Sequence, residues 1–88
     1  MKNELLPFMT YSIQDFTVLS TGNDGGHQYL CTHVDHQGHR RKLVVFFADK
    51  ADERKMRTAA KITVAGTLTD AGPQHSLHLT EATLLEWE

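Results

Sequence analysis

Only one cysteine, Cys31, occurs in this chain, so no internal disulfide forms and a reducing compartment is expected. Long apolar runs are missing too. The longest, Leu43 to Ala48, falls far short of the ~20 residues a spanning helix needs. The first seven residues, Met1 to Pro7, have no apolar stretch followed by a small-residue cleavage site, so they do not read as a secretory leader. A whole chain of this make-up is expected in the cytoplasm, with no membrane partner. Catalytic signatures are also lacking. There is no serine-centred elbow, no phosphate-binding glycine loop and no closely spaced carboxylate pair, so a non-enzymatic role is expected. Internal repeats, low-complexity runs and linkers are absent.

What remains is an 88-residue chain, 40% hydrophobic and 23% charged, which suits one folded domain with a modest core rather than disorder. Its net charge of −2 hides a strong asymmetry. Residues 1–38 carry net −3, residues 39–61 net +5 and residues 62–88 net −4. Nearly all the positive charge is therefore central. That pattern marks either a nucleic-acid or acidic-partner surface, or a solvated turn and helix face.

Residues 1–10 read as a lead-in: Pro7 blocks regular pairing, and Leu5, Leu6, Phe8 and Met9 suit packing over a barrel end. A single domain is expected over 11–88. Tyr11 to Ser20 favours a strand, but Ile13 and Phe16 share a face only with a bulge near Gln14 or Asp15. Glycines 22, 25 and 26 then make a turn-rich loop. His27 to Asp35 is a second strand with Leu30, Thr32 and Val34 inward, and Gly38 serves the turn that follows. The third strand, Arg40 to Ala48, is apolar on both faces; Leu43, Val45 and Phe47 are assigned to the core and Val44 and Phe46 outward.

Asp49 suits an N-cap for a helix over Ala51 to Ala60, with acids early, bases late and an apolar stripe of Met56, Ala59 and Ala60. In the fourth strand Ile62, Val64, Gly66 and Leu68 alternate with polar or small residues, and Gly66 marks a bend or close approach. The fifth begins at His75 or Ser76. Leu77 and Leu79 have one parity and Ala82 and Leu84 the other, so Thr80-Glu81 is the expected bulge.

The order β-β-β-α-β-β, a meander followed by a helix and a closing hairpin, predicts a mostly-β, five-stranded Greek-key OB-type barrel with one short helix. The stretch from Lys61 to Leu68, with Leu77-His78-Leu79-Thr80-Glu81-Ala82-Thr83-Leu84-Leu85, resembles the last two strands of OB-fold nucleic-acid-binding proteins. Single-stranded-DNA-binding proteins, primosomal replication protein B and tRNA-anticodon-binding-like domains share that pattern. The resemblance implies a ligand lying across strands two and three. The outward residues there are Tyr29, His33, Phe46 and either Arg41 or Lys42, with His27 and His75 at the rim. Aromatics for base stacking beside cations for phosphates suit single-stranded DNA or RNA. The competing placement puts Tyr29 and Phe46 in the core or in a dimer interface, and their exposure decides between the two.

The alternative role is an OB-type protein–protein module whose basic segment meets an acidic partner. Val44, Phe46, Leu84, Leu85 and Trp87 exceed what a small barrel needs inside, which leaves homodimerisation open. Cys31, His33, His36 and His39 are metal-ligating types, but they lack the tight paired spacing of a zinc site. No metal and no cofactor is expected.

Overall fold

Alternating side chains and one broken strand give this chain its shape. A computed structural model of the protein describes residues 8–21 and 27–88. Its elements are β1 (Phe8–Ile13), β2 (Thr17–Ser20), β3 (Gln28–His36), β4 (His39–Phe47), α1 (Lys50–Thr58), β5 (Ile62–Thr69) and β6 (Leu77–Trp87). The strands form one mixed sheet in the order β1-β5-β6-β4-β3-β2, curled into an open half-barrel. The β4–β6 pairing is parallel and the others are antiparallel.

Among the described residues six strands stand where five were expected. The first expected strand is two arms, β1 and β2, separated at Gln14-Asp15-Phe16. The parity conflict between Ile13 and Phe16, read from sequence as a bulge, is a full break. β1 pairs with β5 and β2 pairs with β3, so neighbouring residues serve opposite edges of the sheet. Residues 8–10, assigned to the lead-in, belong to β1. The buried Thr32 hydroxyl donates to the Asp15 carbonyl and fixes the break against β3. The expected packing of Leu5 and Leu6 and the glycine-rich loop at 22–26 lie outside the described residues.

The core follows the expected parity. Leu30, Leu43, Val45 and Phe47 are buried with Met56, Ile62, Val64, Leu77 and Leu79. The β3–β4 hairpin turns on Gln37 and Gly38, both at positive φ (52° and 82°), which matches the right-handed twist of its strands. In β6, Glu81 at φ 53° is the bulge that switches the inward set from Leu77 and Leu79 to Ala82 and Leu84. Gly66 lies opposite that bulge, where a Cβ would stand 2.7 Å from the Thr80 carbonyl oxygen. The close approach read from sequence is therefore present.

Helix α1 ends at Thr58, short of the expected Ala60. Asp49 caps its start by accepting from the Ala51 N–H at 2.9 Å. Beyond its end the Ala60 N–H donates to the Glu88 carbonyl, and the Glu88 N–H to the Lys61 carbonyl. The sheet thus claims the chain before another helical turn forms. A helix this short depends on tertiary anchors. Met56 enters the core, Asp52 accepts from the Leu84 N–H at 3.1 Å, and buried Glu53 accepts from the Gln28 N–H at 2.8 Å.

Candidate nucleic-acid interface

The outward positions of β3 are Tyr29, Cys31 and His33, and those of β4 are Lys42, Val44 and Phe46. Register pairs them directly: Tyr29 with Phe46, Cys31 with Val44 and His33 with Lys42. The Tyr29 and Phe46 rings tilt at 31° with centroids 5.2 Å apart. His78 of β6 meets Phe46 edge-on, at 5.7 Å and 80°. Leu19 of β2 is the ladder partner of Tyr29 on its other side and is exposed. An aromatic row with an apolar flank therefore crosses four strands.

Tyr29 and Phe46 are half-buried, neither core residues nor fully free. Each ring covers part of the other, the geometry in which quadrupoles attract. Val44, expected outward, has the outward register but is buried between its ladder partners Cys31 and His78. His33 and Lys42 are both exposed, one pair-step beyond Cys31 and Val44.

Arg41 stands apart from this face. Its parity points it away from Lys42, toward the β5–β6 connection. There its Nη2 donates to Asp70 at 3.0 Å, to the Gly72 carbonyl at 2.7 Å and to the His75 carbonyl at 2.9 Å. Its Nη1 reaches the second Asp70 oxygen at 3.3 Å. Those contacts occupy the guanidinium, so of the two cations left open by the sequence only Lys42 lies on the outward face. The Arg41 guanidinium holds the Asp70 carboxyl down at about 2, helped by the Gly72 N–H. His36 Nε2 also approaches Asp70, at 3.6 Å.

The two rim histidines are separate from the aromatic row. His27 is exposed and its Nδ1 lies 3.1 Å from Glu53, at the helix-covered end. His75 sits in the loop that Arg41 grips, and its carbonyl accepts one of those bonds. His78 and Leu19 were missed as face residues. The alternation around Leu77 and Leu79 already places His78 outward, so the signal for it was present.

Among the described residues no three His, Cys, Asp or Glu side chains converge as a metal cluster. Cys31 and His33 share the outward face, His36 turns to Asp70, and His39 is exposed at the hairpin. Leu84 is buried, whereas Leu85 and Trp87 are exposed. Lys55 of α1 lies 4.5 Å above the Trp87 ring, a cation–π contact at the helix-covered end.

Comparison of the chain with protein-family models, with curated proteins and with solved structures finds no match.

Proposed function

We propose that this protein is an OB-type barrel that binds single-stranded nucleic acid, without catalysis, on the outward face of β3 and β4. The fold side of the proposal is supported by strand order. If β1 and β2 are two arms of one strand, the sheet closes on itself through that strand. Its third and last strands then run parallel, with the helix between the third and fourth, the OB arrangement. The observation that carries the function is the Tyr29–Phe46 ring pair, half-exposed on the sheet, with His33 and Lys42 beside it. Bases stack on such rings without sequence preference while cations follow the phosphates.

Fluorescence anisotropy with labelled oligo-dT and oligo-rU tests it. Binding should weaken steeply with salt. Tyr29→Ala or Phe46→Ala should each cost ~1–3 kcal/mol per lost base contact. Flat titrations with both polymers, at low salt and high protein concentration, would sink it. A protein partner is favoured instead by the exposure of Phe8 (70%) and Leu85 (51%) on β1 and β6. In that case Leu85→Lys, and not Tyr29→Ala, abolishes association in sedimentation velocity.

A further inference from the structure

The break at residues 14–16 leaves a seam in the curled sheet. β2 pairs with β3 only as far as Cys31, and β1 pairs with β5 alone. Among the described residues, β3 from Thr32 onward and the outer edge of β1 therefore face each other without a ladder between them. The seam is an open cleft of about 400 Å³. Ser12 and Gln14 line one wall and Thr32 and His33 the other, with Arg40 and Lys61 among the lining residues. A second cleft, about 430 Å³, adjoins it beside Cys31 and Thr17. The two share Gln14, Asp15, Thr32 and His33, so one groove runs from beside the outward face of β3 into the seam.

The chemistry of the seam suits an anion. Two permanent cations, Arg40 and Lys61, meet one acid, Asp15. Ser12, Gln14 and Thr32 add hydroxyl and amide groups. Arg40 is 69% exposed and makes a long contact, 4.0 Å, with the still more exposed Asp35, so little holds it from a ligand. The position of the groove matters as much. From the Tyr29–Phe46 pair to the His33–Lys42 pair is four residues along the ladder, about 13 Å of strand. A strand whose bases stack on the rings, followed along β3, reaches His33, which belongs to both the outward face and the seam.

We infer that the seam between β1 and β3 is a phosphate pocket, in which Arg40 and Lys61 hold a backbone phosphate of the strand whose bases stack on Tyr29 and Phe46. This rests on the nucleic-acid function proposed above, but it is a separate site with its own residues. Arg41, the cation next in sequence, takes no part because Asp70 and two carbonyls occupy it.

Two measurements on the full chain test it. The first is an amide-shift titration with inorganic pyrophosphate. Saturable shifts at Ser12, Gln14, Thr32 and His33 are expected, and they should vanish in Arg40→Ala/Lys61→Ala. The second is the salt dependence of oligo-dT binding, which loses about 0.7 from its log–log slope in the double variant, when that one phosphate contact is removed. Tyr29→Ala should weaken binding and leave that slope unchanged. If oligo-dT binds through Tyr29 but the double variant keeps the wild-type slope and pyrophosphate moves no seam amide, the pocket is overturned and the stacking face stands. If pyrophosphate titrates the seam while neither polymer binds, the pocket is an anion site and the nucleic-acid function fails.

Discussion

Arg41 of β4 holds Asp70 of the β5–β6 loop through both terminal nitrogens, at 3.0 and 3.3 Å. The same guanidinium binds the carbonyls of Gly72 and His75, so one side chain organises the loop from both ends. Asp70 in turn accepts from the Gly72 N–H at 2.9 Å. The loop is tied to β4 rather than to its own flanking strands. Arg41→Ala should therefore lower the melting temperature and speed amide exchange over residues 70–76, with α1 much less affected.

The Asp70 carboxyl carries a pH dependence with a definite sign. Its pKa is depressed from 3.8 to about 2, so folding favours the ionised form. That contribution is complete above about pH 4 and disappears as pH falls through about 2. The stability gap between wild type and Arg41→Ala should narrow over that window, as followed by thermal melts. A carboxyl NMR titration should find Asp70 raised toward its ordinary value in the variant, with the Gly72 N–H still lowering it.

Gly66 leaves no room for a side chain. A Cβ there would meet the Thr80 carbonyl oxygen at 2.7 Å and the Ala82 Cα at 3.1 Å, both backbone atoms that cannot rotate away. Gly66→Ala should destabilise the protein by ~1–3 kcal/mol, the usual cost of forcing volume into a packed site. Denaturant unfolding measures it. Gly38→Ala is the contrast: it meets nothing within 4 Å and is strained only by its positive φ.

Met56 and Glu53 fasten α1 by different means. Met56→Ala should cost ~2–5 kcal/mol, because its side chain is fully buried among core residues. Glu53→Ala leaves the Gln28 N–H at the start of β3 without its acceptor, at ~1–3 kcal/mol. Glu53→Gln retains an oxygen for that N–H and should recover part of the loss. His27→Ala should do little, since that ring is largely exposed. Chemical denaturation of the four variants ranks them.

Much of this architecture was readable from residue parity. Leu30 and Val34, Leu43 to Phe47, and Ile62 to Leu68 turn the faces that their alternation dictates. Asp49 as a cap, Gly66 as a close approach and Glu81 as a bulge are local signals, and each appears where it was read. Pairings between distant segments leave no such trace. Arg41 and Asp70 are 29 residues apart, and no pattern near either announces the other. Glu53 read as a first-turn acid favoured by the helix dipole, while its buried role is to receive the edge of β3. The aromatic row was partly visible, with Tyr29 and Phe46 found and His78 overlooked. The seam was invisible because a strand break and a bulge produce the same parity slip.

That break has a mechanical meaning. Residues 14–16 join β1 directly to β2, strands lying at opposite margins of the sheet, so they act as a clasp on a bracelet. The Thr32 hydroxyl on the Asp15 carbonyl is the catch. Cutting the chain there would loosen Phe16, which packs partly buried against the core. It would also let the two margins, whose outer edges already lack a ladder, spread apart, and a curled monomer would become a ribbon ready to pair with its neighbours.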